Sequence, residues 1–170
     1  IFQNNENESE SLDRLISDVV TDLDMRIREK NAQVIYAPVP ARFAGSKQFR
    51  QVFFNLLNNS LKFSKTDIPP VISISCTEVS PKEAEKYKLA GNQDYININF
   101  SDNGIGFDNN YAEKIFQMFE RLHSTSEYDC TGIGLAVCKK IAEKHKGTIT
   151  ATGTPGIGAS FSVIIPKQIK

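Results

Sequence analysis

A chain of 170 residues, 40% of them hydrophobic and 24% charged, has the size and composition of one ordinary globular domain with its own core. Twenty basic residues cancel twenty acidic ones, so no net field points to nucleic acid or to an anionic membrane surface. No apolar run is long enough to cross a bilayer and no signal-peptide pattern is present, so direct membrane contact is not expected.

Residues 3–11 are polar, acidic and low in complexity, so residues 1–11 read as a linker. The start at Ile1 reads as a fragment of a longer protein. From Ser11 the pattern changes: Leu12, Leu15, Ile16, Val19, Val20, Leu23 and Ile27 recur at helical spacing, with Ser11 or Asp13 as cap. The spacing predicts an amphipathic helix of about four turns. Residues 33–36 and 41–44 are expected as short strands around Pro38 and Pro40, with Gly45-Ser46 ending the second and capping a long helix.

That helix, over 51–64, is apolar at almost every angle, yet Asn55, Asn59 and Lys62 fall within one narrow arc. Unpartnered buried amides cost roughly 1–3 kcal/mol each, so the stripe suggests a polar ligand. Amide oxygens can ligate a hard cation such as magnesium, and a lysine can meet phosphate oxygens. A surface-facing stripe with no ligand fits the helix alone equally well.

Pro69-Pro70 closes the helix region. Residues 71–79 and 95–100 alternate apolar and polar positions, as half-buried antiparallel strands do. A charged excursion over 81–93 joins them. Residues 147–153 and 159–165 finish the sheet around a turn at Pro155-Gly156-Ile157-Gly158. Between 107 and 131 lie one short helical segment, 110–119, and a polar run, which fits a mobile lid. Helices over one face of a mixed, mostly antiparallel sheet make an α+β fold, a two-layer α/β sandwich. Cys76, Cys130 and Cys138 are odd in number and lack CxxC spacing, so neither disulfides nor a zinc site is expected, and a cytoplasmic setting is.

Three glycine clusters follow the polar-striped helix: Asp102-Asn103-Gly104-Ile105-Gly106, Gly132-Ile133-Gly134-Leu135 and Gly156-Ile157-Gly158. Each alone marks a turn. The second opens a helix whose unpaired amides suit an anion, although an ordinary loop-to-helix junction reads the same way. In this order the elements resemble the catalytic, ATP-binding domain of sensor histidine kinases, in the superfamily of gyrase-type topoisomerases, Hsp90 chaperones and MutL repair proteins. Residues 55–64 resemble its N box, 102–106, 132–135 and 156–161 its glycine boxes, and 115–121 its F box. The likeness covers about 12–166, and Arg121-Leu122-His123 with residues 131–135 is similar to kinases of the phytochrome type.

The resemblance implies a sheet of about five strands under about three helices, with ATP held between the helix layer and a lid over about 107–131. It implies a domain over 12–170, preceded by the linker. Asp102 is expected to accept the N6 amine of adenine and so select ATP over GTP, with Gly104 and Gly106 letting the backbone approach the base. Gly132, Gly134 and the Leu135 amide are the expected phosphate contacts, and Ser160 a further nucleotide contact in the third glycine box. Asn59 is expected to ligate Mg2+, Asn55 to support the metal's water shell, and Lys62 to contact phosphate. In the ATP-hydrolysing relatives a glutamate stands where Asn55 stands here; an amide cannot act as a general base, so the chain resembles a kinase rather than an ATPase.

Asn55, Lys62 and Arg121 form the expected catalytic set, Arg121 stabilising charge on the γ-phosphate, although a solvated surface arginine reads nearly as well. Phe116 and Phe119 are expected to anchor the lid and to offer a surface to the substrate's helix. Cys130 and Ser60 depart from the family pattern, Ser60 with little expected effect. His123 precedes Ser124 and His145 precedes Lys146, so neither matches the family's phosphoacceptor, which lies in a separate dimerisation domain. That domain and a response regulator are the implied partners. A docking scaffold and an ATP-hydrolysing domain are the alternatives, disfavoured by the intact boxes and by Asn55.

Overall fold

The computed structural model describes residues 8–40, 42–117 and 134–169. In chain order its elements are β1 (Ser9–Ser11), α1 (Leu12–Asp22), α2 (Asp24–Glu29), β2 (Gln33–Tyr36), β3 (Phe43–Ser46), α3 (Phe49–Lys62), β4 (Val71–Val79), α4 (Pro81–Lys86), β5 (Tyr95–Asp102), α5 (Gly134–Lys144), β6 (Thr148–Thr154), β7 (Gly158–Pro166) and β8 (Gln168–Ile169). Alternation decides the main sheet. Ile72 and Ile74, Ile96, Ile98 and Phe100, Ile149 and Ala151, and Phe161, Val163 and Ile165 all point to one buried face. The strands lie in the order β2-β4-β5-β7-β6, with β2 parallel to β4 and the other neighbours antiparallel.

Helices α1, α3 and α5 cover that apolar face, α3 lying between the other two. Val52, Phe53, Leu56, Leu57 and Leu61 of α3 are buried in the core, and the Phe53 ring lies 5.6 Å from that of Phe100 on β5. Each such side chain contributes about 1.5–3 kcal/mol of burial, so α3 is held rigidly. The mixed five-stranded sheet with three main helices is the architecture that the sequence pattern and the resemblance imply.

Four details differ from expectation. The end of the presumed linker belongs to the fold: β1 pairs antiparallel with β3, and β8 lines the other edge of β3, making a second, three-stranded sheet. The Lys47 amide donates to the Glu8 carbonyl at 3.0 Å, and the two side chains form an ion pair. Backbone pairing recruits these polar residues, and it leaves no hydrophobic signature. The first helix is broken at Leu23, which is buried between α1 and α2. The strand expected over 41–44 lies at Phe43–Ser46, after a turn in which the Phe43 amide donates to the Pro40 carbonyl.

The fourth is α4, on the sheet's other face. Ser80 and Glu83 form a capping box, with Pro81 in the first turn. That S-P-x-E signature was present in the sequence. Ala84 of α4 packs with Tyr95 and Ile164, the large apolar side chains of that outer face, which explains why both are buried. Elsewhere the outer face is lined by Ser73, Ser75, Thr77, Asn97, Asn99, Ser160, Ser162, Thr150 and Thr152, without a charge among them.

Candidate functional site

Asn55, Asn59 and Lys62 are half-buried on one stripe of α3, next to the buried Leu56, Ser60 and Leu61. Asn55 donates from Nδ2 to the Gly134 carbonyl at 3.3 Å and approaches Cys138 Sγ at 3.7 Å, pinning the first turn of α5 to α3. Burial pushes the Cys138 thiol up to about 12, with the Asn55 contact opposing, so the thiol is a neutral partner. Among the described residues, this use of Nδ2 leaves the carbonyl oxygen of Asn55 without a hydrogen-bond partner. A glutamate at this position would set carboxylate lone pairs against the Gly134 carbonyl, so the junction is built for an amide. The side chains of Asn59 and Lys62 make no hydrogen bond or ion pair among the described residues.

The last residue of β5 shares the helix-bearing face with Ile98 and Phe100. Asp102 Oδ1 accepts from the Gly104 amide at 2.9 Å and the Ala159 amide at 3.2 Å, and Oδ2 accepts from the Ser60 hydroxyl at 2.9 Å. Burial raises the carboxyl above its ordinary pKa, and the Gly104 amide, the Ser60 hydroxyl and the Ala159 amide oppose the rise. Asn103 braces the turn by accepting from the Val71 amide at 2.8 Å.

The two glycines of this turn serve the protein's own packing. A Cβ on Gly104 would lie 2.5 Å from the Phe63 carbonyl oxygen at the end of α3. Gly106 has φ +65°, and its Cβ would lie 2.1 Å from the Thr154 carbonyl oxygen. The first glycine turn is thus wedged between α3 and the β6–β7 turn, to which it is also tied by the Gly156 amide donating to the Ile105 carbonyl at 2.8 Å.

Ser160 is not brought into this constellation. It alternates with core-facing Phe161, so it lies on the outer face, where Asn99 Nδ2 donates to its oxygen at 2.9 Å. Gly134 and the half-buried Leu135 open α5 beside Asn55. Arg121 and Gly132 lie outside the described residues, as do Phe119, His123 and Cys130.

Residues 107–117, expected in the lid, are instead tied to the core. Phe107 and Phe116 both pack on Phe161, the latter edge-on at 6.3 Å between centroids, and Asn109 Oδ1 accepts from the Gly153 amide at 3.1 Å. The helical segment expected here is two short 3₁₀ turns, Asn109–Tyr111 and Lys114–Phe116. Phe116 therefore anchors the start of this region from within and is itself too buried to offer a surface to an incoming helix, whereas Tyr111 is exposed. His145 is also committed: Nδ1 is 3.0 Å from the Ile141 carbonyl oxygen, and its ring packs edge-on against Phe49 at 5.1 Å. It is a packed helix-end histidine.

The described residues hold no group of three or more His, Cys, Asp or Glu suited to a metal. The α3 stripe offers neutral amide oxygens, which fit a cation only if an anionic ligand arrives with it. No described helix is long and apolar enough to cross a membrane.

Residues 44–169 match the family model of histidine kinase-, DNA gyrase B-, and HSP90-like ATPases. The chain is 35% identical over 155 residues to cyanobacterial phytochrome A of a Nostoc species, covering 91% of this chain and 18% of that protein. It is 31% identical over 159 residues to the adaptive-response sensory kinase SasA of Prochlorococcus marinus, covering 91% of this chain and 39% of the relative. The chain thus spans well under half the length of these relatives. Among solved structures, full-length ShkA in complex with AMPPNP superimposes with a TM-score of 0.74 at 19% identity, over 96% of this chain and 31% of that one. The catalytic domain of the histidine kinase ThkA gives 0.73 at 22% identity, over 94% and 95% of the two chains. The matched family model, the sequence relatives and the shared fold agree with the five boxes: the chain belongs to the histidine kinase-, DNA gyrase B- and HSP90-like ATPase family, as an ATP-binding domain of the sensor histidine kinase kind.

Proposed function

We propose that this domain binds ATP together with Mg2+ and passes the γ-phosphate to a histidine on a separate dimerisation domain, from which a response regulator takes it, in the cytoplasm. The observation that carries the kinase reading is Asn55. Its side chain is bonded through Nδ2 to the Gly134 carbonyl, and it offers no base to activate water. A hydrolase would need a carboxylate at this place.

Each residue then has a task. Asp102 accepts the exocyclic amine of adenine while Ser60, Gly104 and Ala159 hold it in place. Asn59 and the Asn55 carbonyl oxygen would hold Mg2+ and its water, the metal supplying charge neutralisation at the β- and γ-phosphates. Their neutrality leaves the anionic ligands to the polyphosphate. Lys62 and the amides of Gly132, Gly134 and Leu135 meet the phosphates, where a helix start favours negative charge. Arg121 takes charge building on the transferring group.

Calorimetric titration with a non-hydrolysable ATP analogue, with and without Mg2+, tests the binding, and phosphate release from ATP tests the chemistry. Magnesium-dependent binding with negligible release by the domain alone is expected. No binding by the folded domain would overturn the ATP reading, and rapid release would overturn the kinase reading while leaving ATP binding intact.

A further inference from the structure

Ser60 follows Asn59 directly and is only 3% exposed. A buried hydroxyl needs a partner, and this one donates to Oδ2 of Asp102 at 2.9 Å. Oδ1 is already occupied by the Gly104 and Ala159 amides. A carboxylate offers about four lone-pair sites, so among the described residues three are filled from within the protein and one, on Oδ2, is left. Around Asp102, α3 presents Ser60, β4 presents Ile72, β7 presents Ala159 and the following turn presents Gly104, none of them titratable in the ordinary range.

We propose that Ser60 is a positioning residue for base selection: its hydroxyl keeps Asp102 an acceptor with one oriented free lone pair, so that the pocket takes a purine carrying an exocyclic amine and rejects one carrying a carbonyl there. This rests on the ATP-binding reading above and adds a second residue to the base-reading device.

The chemistry is a balance between burial and donors. Burial favours the neutral carboxylic acid, whereas each donated hydrogen bond favours the carboxylate. Without the Ser60 hydroxyl, two amides alone oppose burial, and both sit on Oδ1. Oδ2 then becomes the natural place for a proton. A protonated Oδ2 is a donor and can bond a guanine carbonyl, so discrimination between bases falls. Ser60 thus fixes the sign of the group that the base meets, as well as its angle.

The test compares affinities of non-hydrolysable ATP and GTP analogues for the native domain, Ser60→Ala and Ser60→Thr, alongside a carbon-13 NMR titration of the Asp102 carboxyl in the nucleotide-free proteins. For Ser60→Ala the adenine-to-guanine affinity ratio should fall about tenfold, about 1.4 kcal/mol, and the Asp102 pKa should rise. Ser60→Thr, which keeps the hydroxyl, should retain both native values. Should Ser60→Ala not fold, Ser60→Cys keeps the volume, replaces the hydroxyl with a weak donor, and should show the same two changes. An unchanged ratio with an unchanged carboxyl titration overturns the role of Ser60 and leaves ATP binding standing. Failure of the folded native domain to bind either analogue overturns both readings.

Discussion

The two ends of the proposed nucleotide site are built differently: Asp102 marks the end proposed for the base, and Asn55, Asn59 and Lys62 mark the end proposed for the phosphates. At the base end, Asp102 is held by three donors from three separate segments, and the glycine turn beside it fits so tightly that Cβ atoms would strike backbone. At the phosphate end, Asn59 and Lys62 stand half-buried with no side-chain partner among the described residues, and Asn55 is held through its nitrogen alone. The base end is part of the fold, finished before any nucleotide arrives. The phosphate end, under the proposed function, is completed by what binds. A pocket that reads identity gains from rigidity, whereas one that must follow a group in transfer needs donors that are free to engage it.

Asp102→Ala should separate the two ends most sharply. Affinity for the ATP analogue should fall roughly a hundredfold or more, as expected when a buried charged partner of a base amine is removed. The domain should also lose about 1–3 kcal/mol of stability, because two amides and the Ser60 hydroxyl lose their acceptor. Calorimetry and urea unfolding on one preparation would check both. Asn59→Ala should show the complementary pattern: affinity falls about tenfold and its dependence on Mg2+ disappears, while the urea midpoint stays within about 0.5 kcal/mol of native. A large stability loss in this variant would break the comparison, since it would place Asn59 inside the fold's own bonding.

Acidification should produce the smallest and most diagnostic effect. The folded pKa of Asp102 lies above its ordinary value because of burial. Between the two values the folded state holds more protons than the unfolded one, so this group's contribution to stability improves as the pH falls through the folded pKa. Under the role proposed for Asp102, adenine binding needs the carboxylate and should weaken over the same window. Melting curves and analogue titrations across that range should therefore move in opposite directions through Asp102, and loss of the effect in Asp102→Asn would assign it to this group.

Much of the frame was legible in the residues. Strands Val71–Val79 and Tyr95–Asp102 announce themselves by alternation because one face meets helices and the other largely meets water. The arc of Asn55, Asn59 and Lys62 was legible for the same reason, since a helix repeats its geometry. What escaped depends on partners distant in the chain. Ser60 reads as a small residue until Asp102, far along the sequence, is placed against it. Gly104 and Gly106 read as room for a ligand until Phe63 and Thr154 occupy that room. Ser160 was recoverable: two-residue periodicity from Phe161 already turns it to the outer face. Strand β1 was not, because backbone pairing asks nothing of Ser9, Glu10 and Ser11 that a linker lacks.

That short strand also has a mechanical consequence. Ser9 lies opposite Ser46, and Glu8 is bonded to Lys47 through both backbone and side chain, just before α3 begins at Phe49. A pull on Glu8 would be felt first at the entrance of the helix that carries Asn55, Asn59, Ser60 and Lys62. Through β1 and β3, Glu8 is linked to the start of the helix that carries Asn55, Asn59 and Lys62, and a change in its position would reach that stripe without crossing the five-stranded sheet.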